Sequence, residues 1–370
     1  MSIVKTKEKS EVFFFPYDSS RAFLRGLRTL FSKVADVVSA GDSVAVKVHM
    51  GEYGGSGYLR PPIVRRACDL IKEAGGKPFV TDTTTLYPVG RFTASKYLAT
   101  AARNGFTEES VGAPVVIADG EQGYDGQWVA MPRQVHDCSL DKIKIARKIF
   151  DADSMVVLSH VKGHEQAGFG GSIKNVAMGC VTKESKAAQH RANRAIMDLS
   201  KCNGCGQCVE ACSYKALSLV EEKVVRDDEK CMDCSHCFYL CSEGVYSLPP
   251  RAKEKFQVSL AHAAAGVLTR FQSKVAFINF IQDVTQSCDC VAPSGFPVVP
   301  DIGILASRDV VAIDKASLDL VAQSKPLGQF ANISSSDILG KINGTDSLLQ
   351  IRVAHELGLG NIEYQLEGQK

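Results

Sequence analysis

The chain has 370 residues, 45% of them apolar and 23% charged, so it is long enough to bury a large core and too apolar to be disordered. Its 43 basic and 41 acidic residues leave a formal charge of +2, which predicts neither a nucleic-acid partner nor a membrane surface. No apolar run approaches the ~18 residues of a membrane span, and the N-terminal region lacks the roughly 7–15 apolar residues of a signal peptide. We therefore expect a cytoplasmic protein.

Strands alternate with helices through most of the chain, which implies an α/β fold with a mostly parallel sheet covered on both faces. The predicted elements, in chain order, are a helix over 19–40 capped by Ser19 or Ser20, strand 44–48, helix 61–74, strands 79–81, 115–118 and 155–158, helix 256–271, strands 275–281 and 302–305, and helices after Ala312 and Thr345. Residues 1–197 and 251–370 are assigned to this α/β domain. Residues 198–250 interrupt the alternation and are predicted to be a small inserted α+β domain.

Thirteen cysteines are present, and eight of them lie in a repeated Cys-x-x-Cys-x-x-Cys-x-x-x-Cys run. Three thiolates at this spacing fit three corners of an iron–sulfur cube, and the fourth reaches the other cube. The sequence therefore predicts two [4Fe–4S] clusters as cofactors, one held by Cys202, Cys205, Cys208 and Cys241, the other by Cys231, Cys234, Cys237 and Cys212.

The two runs, with a hairpin predicted between them, resemble a bacterial-type two-cluster ferredoxin. Ser213 and Ser242 stand where that family has proline. The alternative is zinc, which this spacing disfavours because structural zinc sites use paired Cys-x-x-Cys units with four ligands per ion. An odd number of cysteines without an export signal also argues against a disulfide framework.

Reactive side chains cluster just beyond the predicted strands, where open α/β sheets bind ligands. These residues are His49, Asp82, Thr83, His160, His164, Cys288 and Cys290. We predict His160 and His164 to be acid–base or ligand groups and Lys174 to anchor an anion. A third metal or cluster is predicted at Cys288 and Cys290, with Cys180. The alternative is structural, because single histidines and free cysteines are often ordinary packed residues.

The glycine-rich loops 51–57 and 168–175 match neither nucleotide-binding signature, so nicotinamide binding and nucleotide hydrolysis are not indicated. Several segments are similar to the domain-of-unknown-function family numbered 362: 44–49, 160–164, 168–180, 288–290, 300–307 and the tail 356–364. That resemblance implies the α/β architecture with a ferredoxin insert. The glycine-rich segment with Lys174 is also similar to part of the nickel-dependent lactate racemase family, from which no nickel chemistry is carried over.

Three functions are compatible with these features. The first is an iron–sulfur oxidoreductase, in which an external electron-donor or acceptor protein exchanges electrons with the insert, and a small-molecule substrate reacts at the strand ends. The second is an electron-transfer or docking subunit of a larger complex without its own catalysis. The third is a carrier of iron–sulfur clusters or metal. Binding of a substrate at the strand ends would distinguish the first from the others.

Overall fold

A computed structural model describes residues 9–17 and 23–368 of the chain. Its strands are β1 Ser10–Pro16, β2 Ser43–Lys47, β3 Lys77–Asp82, β4 Val115–Ile117, β5 Gly126–Ala130, β6 Lys142–Ala146, β7 Ser154–His160, β8 Lys162–His164, β9 Gly168–Gly170, β10 Ile196–Met197, β11 Leu217–Val220, β12 Lys223–Arg226, β13 Tyr246–Ser247, β14 Val275–Ile281, β15 Gly303–Ser307 and β16 Tyr364–Gly368.

The helices are α1 Phe23–Ser32, α2 Pro61–Glu73, α3 Ala94–Arg103, α4 Glu108–Val111, α5 Arg147–Phe150, α6 Ser172–Gly179, α7 Lys183–His190, α8 Gln207–Glu210, α9 His236–Leu240, α10 Ala252–Phe271, α11 Val310–Gln323, α12 Ile338–Asn343 and α13 Leu349–Glu356. Short 3₁₀ turns cover Ala35–Val37, Arg191–Asn193, Leu199–Lys201 and Gly328–Phe330.

Eight strands form one central sheet in the order β16-β1-β15-β14-β7-β2-β3-β4. The five strands from β14 to β4 are mutually parallel, with Phe280 opposite His160 and Lys47 opposite Val157. The strand β15 is antiparallel to both of its neighbours. The predicted α/β class and the mostly parallel sheet are confirmed, and the parallel strands bring their carboxyl ends to one edge.

Both faces of the sheet are buried, which explains why its strands are continuous apolar runs rather than alternating ones. Along β7, Met155 and Val157 pack into one core, and Val156 and Leu158 into the other. The first core also contains α6, α10, α11 and α13, and the second contains α1, α2 and α3. Helices therefore cover the faces and leave the edges of the sheet for other roles.

The predicted helix over 19–40 is wrong in its second half. The helix α1 ends at Ser32, and only Ala35–Val37 turns again, as 3₁₀. Val34, Val37 and Val38 are buried, but β-branched side chains crowd a helix, and the chain there forms tight turns with i→i+3 hydrogen bonds. The predicted caps Ser19 and Ser20 lie outside the described residues.

Residues 198–250, the cysteine-rich segment, form little regular structure. The segment contains two short helices, α8 and α9, and the hairpin β11–β12. Its strand β13 pairs with β10, which lies in the chain just before the segment begins. A small apolar cluster of its own, centred on Leu217, Val224, Val245 and Tyr246, holds it together. Among the described residues, no helix is long and apolar enough to cross a membrane.

Candidate functional site

The carboxyl edge of the parallel strands gathers charged and ionisable side chains, most of them buried, as the sequence predicted for His49, Asp82 and His160. We call this set the strand-end site and define it by its members: Lys47, His49, Glu52, Asp82, Arg91, His160, Lys162, Lys174 and Asp289. Lys47, Asp82 and His160 are the last residues of β2, β3 and β7. Asp289 reaches the same place from the loop after β14.

An ion pair between Lys47 and Asp82 lies at the centre of the edge. The Nζ atom of Lys47 is 3.0 Å from Asp82 Oδ1 and donates to Asn175 Oδ1 at 2.6 Å. Tyr97 donates its hydroxyl hydrogen to Asp82 Oδ2 at 2.5 Å. Burial alone would raise the pKa of Asp82, but the ammonium of Lys47 outweighs it and the pKa falls to about 2. The carboxylate is therefore held in its charged form.

A second buried network joins Arg91 to the loop after β2. The guanidinium contacts Glu52 Oε2 at 3.0 Å, His49 Nε2 at 2.9 Å and the Tyr87 hydroxyl at 2.7 Å. The other ring nitrogen of His49 accepts from the backbone N–H of Gly51 at 3.1 Å. Burial and the nearby guanidinium hold the pKa of His49 well below its usual range. His49 is therefore a neutral ring in contact with a donor group at each nitrogen, and a neutral imidazole accepts a hydrogen bond at only one of them.

His160 is oriented by acceptors at both ring nitrogens. Nδ1 lies 2.9 Å from Asp289 Oδ1, and Nε2 lies 2.8 Å from the carbonyl oxygen of Gln282. Lys162 completes the group, with its Nζ 3.3 Å from Asp289 Oδ2. Burial would raise the pKa of Asp289, but His160 and Lys162 hold it far below its usual range. Since both nitrogens of His160 are occupied, its geometry suits positioning of Asp289 better than proton transfer to a substrate.

Cys288 and Cys290 flank Asp289, and their sulfur atoms are joined as a disulfide 2.01 Å long. This places the pair directly beside His160, which contacts the residue between them. Cys180 lies elsewhere, in the hydrophobic core, with its sulfur 3.9 Å from that of Met155. Burial raises the pKa of Cys180 to about 12, which is typical of an inert structural thiol. The predicted third metal at these cysteines stays a prediction.

Lys174 is the one lysine of the strand-end site without a partner among the residues described. It lies in the first turn of α6, and the aliphatic chains of Lys174 and Lys162 both approach the position that a side chain on Gly170 would occupy. Burial and the charge of Lys162 lower the pKa of Lys174 to about 7, against the attraction of Asp289. An unpaired ammonium among paired cations is a suitable contact for an anion.

His164 lies at the end of β8 and is partly engaged by the backbone. Its Nδ1 accepts from the N–H groups of Gln166 and Ala167 at 3.2 and 3.1 Å. The rings of His164 and His190 both pack on Phe256, with centroid distances of 6.2 and 4.8 Å. Burial and the charge of Lys174 hold the pKa of His164 well below its usual range. The predicted acid–base role of His164 therefore rests on Nε2 alone.

The two cysteine runs have the same backbone conformation, although the residues that adopt it differ. Gly204 and Gly206 have φ of 74° and 75°, and Asp233 and Ser235, at the matching positions of the second run, have φ of 52° and 58°. Alternation of left-handed and right-handed residues turns backbone N–H groups toward one side, a concavity common at iron–sulfur sites. Arg194 holds Asp233 in this unfavourable conformation with contacts of 2.6 and 3.0 Å.

One cavity collects cysteines from both runs. It is lined by Cys212 and Cys208 of the first run and by Cys231, Cys234 and Cys237 of the second. We call it the second-run cavity. The four predicted ligands of one cluster, including the crossing Cys212, therefore face a common space.

Tyr246 lies beside cysteines of both predicted ligand sets. Its hydroxyl is buried, and the thiol of Cys208 is the one described group placed to bond with it. Burial, with Cys208, Cys237 and Cys241 nearby, raises the pKa of Tyr246 strongly. A buried hydroxyl normally has an acceptor, and a cluster sulfur held by these cysteines would supply one. Among the described residues, no three histidine, cysteine or carboxylate side chains are gathered closely enough to hold a metal ion as they stand, so the two clusters stay a prediction.

The cysteine-rich segment packs on the loop after β3, which carries Arg91 of the strand-end site. Pro88 of this loop lines the second-run cavity, and Arg91 of the strand-end site follows three residues later. Tyr214 of the segment donates to the carbonyl of Leu86 at 2.7 Å and packs edge-on against Phe92, with ring centroids 6.0 Å apart. The cavity and the site are therefore connected by one short stretch of chain.

Several members of the site were not singled out from the sequence. Lys47 interrupts an apolar strand, and a charged residue in a strand buried on both faces is a usable signal. Asp289 stands between two cysteines, and Lys162 between two histidines, so proximity to predicted residues pointed to both. Glu52 and Arg91 lie in loops, and no pattern in the sequence identified them.

Comparison with known proteins gives one family and three distant similarities. The family model "Domain of unknown function (DUF362)" matches residues 44–319. The thylakoid-associated protein sll1697 of Synechocystis sp. is 26% identical over 178 residues, 46% of this chain and 49% of that protein. The chain thus spans about half the length of the curated relative it matches.

Two solved structures are similar to parts of the chain at low identity. A crystal structure of a protein from Thermotoga maritima has a TM-score of 0.39 and 11% identity, covering 70% of this chain and 50% of that one. The lactate racemase apoprotein of Thermoanaerobacterium thermosaccharolyticum has a TM-score of 0.38 and 12% identity, covering 84% of this chain and 58% of that one. Scores this low carry no argument about function.

Proposed function

The chain belongs to the DUF362 family, and for this member we propose an iron–sulfur oxidoreductase whose cysteine-rich segment exchanges electrons with the strand-end site. The observation that carries the proposal is the second-run cavity, in which Cys212 faces Cys231, Cys234 and Cys237 next to Pro88. The loop that carries Pro88 also carries Arg91 of the strand-end site, so the cavity and the site share one short stretch of chain.

Two [4Fe–4S] clusters are the cofactors of the proposal, with the ligand sets given by the repeated runs. When bound, they supply single electrons, at potentials set by hydrogen bonds to sulfur and by solvent exposure. The chain already provides such bonds, because the N–H of Ala216 points to the sulfur of Cys212 at 3.3 Å. Residues 198–250 act in this proposal as a ferredoxin-type domain inserted in the α/β domain.

Exposure of the cysteines suggests a direction for electron exchange. Cys205 of the first run is exposed, whereas the other seven predicted ligands are half-buried. The first run is thus open to an external electron-carrier protein at Cys205, and the second-run cavity meets the loop after β3 at Pro88.

The strand-end site fits a small anionic substrate. Lys174 supplies an unpaired ammonium, and Lys162 beside it supplies a second positive charge that is shared with Asp289. Carboxylates and phosphates both bind such groups, and the substrate is proposed to carry one of them.

The proposal predicts the iron content of the protein. Protein purified and reconstituted without oxygen should hold about eight irons and eight sulfides per chain, since each four-cysteine set binds a cluster of four irons. Metal and sulfide analysis, with the visible spectrum, gives the result. Colourless protein that binds zinc in place of iron would overturn the proposal. Clusters that pass quantitatively to an apo-acceptor would favour a cluster carrier instead.

Anion binding at Lys174 should depend on pH. Its pKa of about 7 lies below the usual 10.5, so the free site is about nine-tenths charged at pH 6 and about one-tenth at pH 8. Binding of acetate is therefore expected to weaken about tenfold between these pH values, with uptake of a proton above pH 7. Isothermal titration in two buffers of different ionisation enthalpy measures both quantities.

The matched variants are Lys174→Met, which should abolish this binding, and Lys96→Met on the exposed face of α3, which should not change it. Acetate binding that is equally strong at pH 6 and pH 8, or that survives Lys174→Met, would contradict the assignment of the anion to this lysine. The cluster content of both variants should match that of the unaltered protein.

A further inference from the structure

The Cys288–Cys290 pair has a position that suits electron storage. Cys68, Cys138 and Cys180 are free thiols, whereas these two sulfurs are bonded to each other. Cys288 is buried and Cys290 is half-buried, so a reductant reaches the sulfur of Cys290 more easily.

The loop that carries the pair is fixed to the strand-end site at its middle residue. The side chain of Asp289 is held by His160 and Lys162, and its carbonyl oxygen accepts from the N–H of Glu52 at 3.1 Å. The pair is therefore anchored on both the side-chain and the backbone side, next to two cationic or protonatable groups. Positive charge of this kind favours a thiolate over a thiol.

We propose that Cys288 and Cys290 form a redox-active dithiol–disulfide pair that stores two electrons in the strand-end site, in place of a third metal. This inference rests on the proposed function, because the reductant is an external one-electron carrier protein acting twice through the cysteine-rich segment. The step is balanced: the Sγ–Sγ bond breaks, two electrons enter, and two protons from solvent give two thiols.

The pair explains how carriers of single electrons serve a site whose chemistry needs two. In the reverse direction, the dithiol gives two electrons and two protons to an oxidised substrate, and the disulfide re-forms. Thiol–disulfide exchange requires an accessible sulfur, and the half-buried Cys290 provides one.

The first test follows the peptide that contains residues 288–290 and does not depend on the clusters. Native protein is equilibrated with mixtures of reduced and oxidised dithiothreitol, alkylated and digested. The mass of the peptide is then measured by mass spectrometry. The peptide should carry no label when oxidised and two labels when reduced, with a single reversible transition. Cys68 and Cys180 should stay unlabelled throughout, because both are buried.

Variants make the result specific. With Cys288→Ser, Cys290 should be labelled at every dithiothreitol ratio, and Cys138→Ser should leave the transition unchanged. Two labels before any reductant is added would overturn the inference. So would a metal ion that stays bound through gel filtration and is lost in the Cys288→Ser/Cys290→Ser variant.

The second test separates this inference from the proposed function. Reduced methyl viologen, a one-electron donor, should convert the disulfide at least tenfold faster in the unaltered protein than in Cys212→Ser. If dithiothreitol titrates the pair but both proteins react with the viologen at the same rate, the dithiol is supported and the proposed route through the cysteine-rich segment is wrong.

Discussion

Replacing Cys212 by serine is expected to damage the cluster of the second run, although Cys212 belongs to the first. Cys212 faces Cys231, Cys234 and Cys237 in the second-run cavity, so its loss leaves that set with three thiolates. The other set, Cys202, Cys205, Cys208 and Cys241, keeps all four. The iron content should therefore fall from about eight toward about four per chain, or to about seven if a three-iron cluster survives.

Electron paramagnetic resonance of the reduced protein identifies the affected cluster. The unaltered protein should give the signal of two interacting clusters, and Cys212→Ser the simpler signal of one. Cys241→Ser is the matched variant, since it should damage the other cluster in the same way, and Cys138→Ser is the control with both clusters intact. Equal loss of both clusters in Cys212→Ser alone, or damage restricted to the first set, would contradict cross-ligation.

The sequence was most informative where the residue pattern has a direct physical cause. Strands buried on both faces must be apolar throughout, and β7 and β14 were predicted close to their true bounds for that reason. Parallel strands have their carboxyl ends at the same edge of a sheet. His49, Asp82 and His160 were therefore predicted to lie on one edge without any knowledge of contacts. Such rules act locally and do not depend on the partner elements.

The remaining features depend on contacts between distant parts of the chain. No strand was predicted over residues 10–16, yet β1 lies inside the sheet between β16 and β15. Arg91 and Glu52 are 39 positions apart and meet only because two loops fold over the same edge. The contact between Asp289 and His160, which are 129 positions apart, is likewise fixed by the tertiary fold. Residue pattern alone contains no information about these distances.

The ion pair between Lys47 and Asp82 should be the most costly single interaction to break in the α/β domain. Both side chains are almost fully buried, at 1% and 5% exposure, and their charged atoms are 3.0 Å apart. Asp82→Ala leaves a buried ammonium without a counter-ion and removes the acceptor of the Tyr97 hydroxyl. We expect the free energy of unfolding to fall by about 3–5 kcal/mol. Urea unfolding without oxygen, followed by circular dichroism and by the fluorescence of the single tryptophan, Trp128, measures it.

The double variant Lys47→Met/Asp82→Ala separates the charge from the packing. It removes both ions together, so its loss of stability should be smaller than the sum of the two single variants. The pH dependence gives an independent check. Because the pKa of Asp82 falls to about 2 on folding, its stabilisation is complete above the unfolded value of 3.8 and is lost as the pH falls toward 2. Two results together would contradict this prediction: a loss of unfolding free energy in the double variant equal to the sum of the two single variants, and the same decrease of stability at low pH in Asp82→Ala as in the unaltered protein. The pair would then contribute to the geometry of the site and not to its stability.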